Sequence, residues 1–303
     1  MPKPLHTIIL MSALTLPGIA LANGMAPQNP ILRANNEIGL AATGTLMNYQ
    51  ERLPSPSDIE SGWMPGFAAK YTLMGDYFSS LPNLYFAVNY QFNSGDIAYH
   101  GALQNGTLLE GTDSATTNWV LARLGMGLPL AQSWMFTPYI AGGYQNWNRN
   151  LQGPHGYTEK YSAGLVGVGL MLQYAPTAQL VLSANAQGLA VIGGGMTPSG
   201  TPLQDRLGTA SFGSSGQERI SLDADYRLNQ QWHVYGGLNF THFNYTGGAL
   251  NSPLANSWTI LNRRLPPTSL ACNWALPTVS EHVYKKAAHQ GGLSSWPEWF
   301  AWP

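Results

Sequence analysis

The densest chemistry in the sequence is a polar set, Arg219, Ser221, Asp223, Asp225 and Arg227, interleaved with Ile220, Leu222, Ala224, Tyr226 and Leu228. In a strand, alternate side chains point to opposite faces, so the polar set shares one face and the apolar set the other. Two carboxylates between two guanidiniums could line a selective pore, form an acid/base carboxylate pair, or fill a narrow interior with salt bridges. We favour the last, because charges inside transmembrane barrels are routine and wet. Lys70, Asp76, Arg123 and Glu37 lie on the polar faces of other alternating runs. The candidate lumen lining is therefore Lys70, Asp76, Arg123, Arg219, Asp223, Asp225 and Arg227, with Glu37 beside them.

Other reactive residues are scattered. Among the histidines, His100 and His155 fall in loops, His233 is next to a short turn, and alternation points His242 outward. None has an acid or nucleophile two residues away on its own face, so any partner must come from another strand. No H-E-x-x-H motif or cysteine pair marks a metal site, and no cofactor is expected. Gly193-Gly194-Gly195 lacks the Lys-Ser/Thr of a phosphate loop and reads as a flexible loop. A net charge of −1 and the absence of a basic run argue against a nucleic-acid partner. Cys272 is the only cysteine, so no internal disulfide is possible.

The elements that must hold these residues alternate with period two. The hairpin Glu159 to Gln187 puts Val166, Val168, Leu170, Leu172 and Tyr174 on one face of its first arm. Its second arm separates Leu180, Leu182, Ala184 and Ala186 from Val181, Ser183, Asn185 and Gln187. Further strands are expected at Glu37 to Tyr49, Phe67 to Tyr77, Leu84 to Phe92, Thr116 to Leu128, Trp134 to Trp147, Gln217 to Leu228 and Trp232 to Tyr245. Short turns alternate with loops of about ten to thirty residues, as in transmembrane barrels. The longest loops are expected at Asn93 to Ala115 and Gly188 to Gly216. Three short turns place Gln just before the next strand: Gln132, Gln179 and Gln231. Tyr77, Trp134, Tyr174, Tyr226 and Trp232 lie beside the short turns, and Tyr49, Tyr90, Tyr144, Trp147 and Tyr245 towards the long loops. Those two groups would make two aromatic girdles.

Composition fits a barrel in lipid: charged residues are 10% of the chain, against a usual ~25%. Residues 1–22 read as a secretory signal, with Lys3, an apolar core from Ile8 to Leu16 and an Ala20-Leu21-Ala22 cleavage site. No later stretch approaches the ~20 apolar residues of a spanning helix. Taken together, these features resemble small Gram-negative outer-membrane β-barrels, the porin-like, protein A-type group being nearest. The resemblance covers about Asn36 to Tyr245. It implies an antiparallel up-and-down barrel in the outer membrane, closed by a final strand whose terminal aromatic residue belongs to the assembly signal.

The pattern stops near Ser252. Residues 253–303 carry five of the ten tryptophans and no alternating run of the needed length. Nine strands are legible, whereas single-chain bacterial barrels use an even number. A frameshift or chimeric gene could have replaced the tenth strand, which we favour. Ala255 to Asn262 could instead be a short tenth strand before a disordered tail, or the tail could be a periplasmic appendage. The expected architecture is thus an all-β barrel over residues 23–252, planned for ten strands with the last poor or missing. Its expected role is a passive porin-like channel or a structural, surface-interaction protein, touching outer-membrane lipid and, through its long loops, solutes or extracellular ligands. The alternatives are an outer-membrane hydrolase, either an omptin-like protease or a lipid-modifying enzyme, and a soluble lipocalin-like periplasmic binder.

Overall fold

A computed structural model describes residues 13–14, 29–51, 58–103, 106–200, 205, 208–229, 232–251 and 269–275. The chain is all-β, an antiparallel sheet nearly closed into a barrel. After β1 (Ala13–Leu14) and a short helix α1 (Pro30–Ala34) come β2 (Glu37–Glu51), β3 (Ile59–Gly75), β4 (Leu84–Ala102) and β5 (Leu108–Met126). They are followed by β6 (Leu128–Ala131), β7 (Trp134–Asn150), β8 (Thr158–Tyr174), β9 (Leu180–Ser199), β10 (Thr209–Phe212), β11 (Gly216–Arg227), β12 (His233–Asn251) and β13 (Ser269–Ala275). Each long strand pairs with its sequence neighbour, as an up-and-down barrel requires.

The expected period-two faces are present. Leu124, Ile140 and Val168 lie directly opposite one another on successive strands and point outward. They are 47, 61 and 63% exposed. Tyr139, Leu121 and Leu165, an odd number of residues away in the same strands, are buried inside. Pro138, in the middle of β7, falls where that strand changes partner. β5 pairs with β7 as far as Gly125–Tyr139, and β6 takes over at Leu128–Phe136. A residue without an N–H is tolerated at such a break in the ladder.

The strands are longer than the sequence suggests, and the loops shorter. The segment Asn93 to Ala115, expected as a loop, is mostly hairpin: β4 runs to Ala102 and β5 restarts at Leu108, in continuous register. Cross-strand pairs such as Ser94–Thr116 (2.9 Å) and Ser114–Asp96 (2.6 Å) hold it together. The glycine run is likewise not a loop. Gly193 and Gly194 lie within β9 at φ +70 and +93, where the β8–β9 register shifts between Ser162 and Gly164. Glycine is the residue that enters this left-handed region at no steric cost, so the run builds a bulge.

The interior holds two apolar clusters. Near the short turns, Ile31 and Ala34 of α1 pack with Met74, Tyr85, Met135 and Met171. Near the opposite end, Tyr49, Trp147, Tyr161, Phe243 and Tyr245 pack with Met47, Met64 and Ile97. This corrects the upper girdle: Tyr49, Trp147 and Tyr245 are 1, 0 and 2% exposed and face inward. Their parity matches the inward residues Met47, Gln145 and Phe243, so length alone had placed them at the rim. Trp63, Phe67 and Tyr144 are the exposed aromatics at that level. Of the aromatics beside the short turns, Tyr77, Trp134 and Tyr226 are exposed, Tyr174 and Trp232 are half-buried, and Trp134 is stacked on Tyr174 at 4.3 Å.

Closure is incomplete between β12 and β2. Instead of the long tenth strand of the plan, the seven-residue β13 lies between them, with a register shift on each side. It reaches β2 only at Met47, Gln50 and Glu51. At the other end β1 pairs with Val234 and Tyr235 of β12. The segment Ala255 to Asn262, weighed as a tenth strand, lies outside the described residues.

Candidate functional site

Between the two apolar clusters the lumen widens into a polar cavity of ≈ 170 Å³. Lys70 (β3), Arg123 (β5), and Arg219, Asp223 and Asp225 (β11) line it together, with Glu37 of β2. Five of the seven residues expected in the lumen therefore meet around one cavity. Arg227 does not: it stands at the short-turn rim, where its guanidinium and that of Arg33 both donate to the Ala178 carbonyl, at 3.3 and 3.2 Å. Asp76 is a correction. β3 ends at Gly75, and the exposed Asp76 carboxylate accepts the Asn83 backbone N–H at 2.7 Å in the turn. Its alternation continued past the last paired residue.

The cavity is organised by amide and hydroxyl groups. Arg123 donates to Gln187 (3.1 Å), and Tyr139 donates to Asn185 and Gln187 (2.6 and 3.2 Å). The Arg219 guanidinium lies over the Trp119 ring, 4.7 Å from its centroid. Room for Tyr139 comes from Gly169 on the facing strand: any side chain there would run into the Tyr139 ring. Above the cavity, Trp119 donates to Gln217 (3.3 Å) and Gln217 donates to Gln145 (2.8 Å). A further space of ≈ 70 Å³ lies at this level, lined by Trp119, Gln145, Trp147 and Phe243.

The sequence reading missed two clusters. At the rim away from the short turns, Arg149 is buried between Glu60 and Glu159 and donates to the Tyr161 hydroxyl at 3.2 Å. Asp113 accepts the Asn150 N–H beside it. Asp58, just before β3, has its carboxyl raised above the usual range by burial, opposed by a hydrogen bond from Tyr99 and the charge of Arg149. Extending the parity of Gln145 and Trp147 by two residues would have placed Arg149 inside. Nothing in a single strand names its partners, which come from β3 and β8. The second missed cluster joins Glu37, Asp225 and His233 near the short turns, with His233 Nδ1 2.7 Å from Asp225 Oδ1. Glu37 also pairs with Lys70, whose ammonium lies 3.4 Å from the Tyr235 ring centroid.

The histidines do find acids on other strands. Outward His242 is 3.2 Å from Glu218, and His100 is 3.7 Å from Glu110. Ser221 donates to Asp223 at 2.9 Å, not to an imidazole. The rim carboxylates Glu60 and Glu159 are held by Arg149. Each potential nucleophile or acid in this set is thus engaged in a structural contact. No family model matches the chain, and no curated protein matches it significantly.

Proposed function

We propose that the protein is an outer-membrane β-barrel whose lumen is blocked, acting as a structural or surface-interaction protein and not as a diffusion pore. The observation that carries the reading is an inside-out distribution. Val168, Ile140, Leu222 and Ile220 are 63, 61, 58 and 57% exposed, while Arg149, Glu60, Asp113 and Glu37 are 2, 1, 0 and 6% exposed. A water-soluble barrel would reverse that order, because exposed apolar patches of this extent seek an apolar partner. The exposed aromatics mark the two edges of the band. Trp134 and Tyr144 are ten residues apart in β7, or about 33 Å of strand, which a tilt of about 40° reduces to about 25 Å. That is the height of the lipid-facing band in outer-membrane barrels. Between them the outward positions of β7 and β8 are Phe136, Pro138, Ile140, Gly142, Val166, Val168, Leu170 and Leu172, all uncharged.

The filled lumen favours the structural arm over the porin arm. An ion entering from the short-turn end meets α1, where Asn35 donates to Gln173 at 2.7 Å and Ile31 is 1% exposed. At the other end it meets Trp147, with Tyr49 edge-on to it at 4.9 Å and Tyr161 stacked on it at 4.8 Å between ring centroids. The test is planar-bilayer recording on the refolded chain. We expect no stepwise conductance. Steady ion-selective steps from the wild type would restore the porin reading.

A further inference from the structure

The lower half of the seam, where among the described residues β1 pairs with β12 but not with β2, carries a set of donors that no single strand shows. Glu37 stands at the start of the first long strand, Asp225 on β11 and His233 at the start of the last long strand. One ligand atom from each lies within 4.8 Å of the others. The side chains of Glu37 and Asp225 are 6 and 12% exposed, and Glu37 Oε2 and Asp225 Oδ2 have no hydrogen-bond partner. Leaving two carboxylate oxygens dry and unsatisfied is costly. A shared cation removes that cost at both oxygens.

The donor chemistry is specific. Two carboxylate oxygens and one imidazole nitrogen suit a divalent ion of the zinc class, and three protein ligands leave positions open towards the cavity. The neighbouring geometry holds the three strands in place for it. Tyr235 of β12 reaches across the seam onto Gly39 of β2, where an added Cβ would lie 2.6 Å from its ring. Lys70 engages Glu37 through Oε1, leaving Oε2 available.

We propose that Glu37, Asp225 and His233 form a site for a zinc-class divalent cation that ties the first long strand of the barrel to the last two. The metal would link β2 to β12 in the lower half of the seam, where β1 pairs with β12 alone, and it would bind only after β2 and β12 have met. The proposal goes beyond the functional reading above and does not depend on whether the lumen conducts.

The test uses the full chain, refolded in detergent and freed of metal with EDTA, titrated calorimetrically with ZnCl2. The expected result is one equivalent bound by the wild type, at least tenfold weaker binding in His233→Ala, and unchanged binding in His242→Ala. Zinc should also raise the temperature at which the folded gel mobility is lost, in the wild type and not in His233→Ala. If the alanine variant does not fold, His233→Gln, which retains volume and a polar contact to Asp225, is read in the same way. No zinc binding by the folded wild type, or equal binding by the His233 variants, would overturn the proposal.

Discussion

Arg149 shows how a single residue is fixed by partners far away in the chain. Its guanidinium is 2% exposed and bridges Glu60 and Glu159, with Tyr49 and Trp147 rings 4.7 and 5.5 Å from it. Removing one member of a buried ion pair leaves an uncompensated charge, which costs about 3–5 kcal/mol. Arg149→Met should therefore lower refolding stability by roughly that amount in a urea titration, because two acids lose their counter-charge. Combining it with Glu60→Gln should recover part of the loss, and an additive double variant would show that the pair does not act as a unit. Side-chain direction was legible in the sequence wherever alternation was clean, as at Val168 and Ser183. Partnership was not, because hydrogen bonds such as Arg149 to Glu60 join residues on strands that are not adjacent in the chain.

Among the elements, α1 is the one that local chemistry announced and the period-two reading passed over. Asn29 caps it, accepting the Ile31 N–H at 2.8 Å, and Pro30 opens it, an arrangement suited to a helix start. Within a polar lead-in it lacked the length that usually marks a helix. Ile31→Ala should cost about 2–5 kcal/mol, as expected for a buried aliphatic truncation, read from the urea midpoint. Deleting residues 29–35 should still leave the barrel electrically silent, because the Trp147 layer remains. A conducting deletion variant would show that the helix alone blocks the lumen. The strand faces make a separate prediction. Val168→Arg should cost about 2–4 kcal/mol in refolding into vesicles if it lies at the bilayer midplane. Ser183→Arg should cost less, since Ser183 lines the ≈ 170 Å³ cavity. Equal losses would contradict the face assignment.

At the scale of the whole molecule, the barrel was legible because one physical rule repeats along the chain: apolar outward, small or polar inward, with a turn at each reversal. Strand ends and closure were less legible. The outer halves of β4 and β5, such as Ser94 to Ala102 and Leu108 to Thr116, follow the hairpin ladder without an apolar outward face to reveal it. The seam depends on long-range meetings, such as Glu37 with His233 and Thr241 with Ala275, that no local pattern encodes. The central claim is that the outward face of this sheet contacts lipid. Spin labels at Val166, Val168 and Leu170, and at inward Leu165 and Met171, placed one at a time in a Cys272→Ser background and refolded into vesicles, test it directly. The account predicts high oxygen accessibility and low access to a water-soluble nickel chelate at 166, 168 and 170, with low oxygen accessibility at 165 and 171. High chelate access at 166, 168 and 170, or no difference between the two sets, would contradict it.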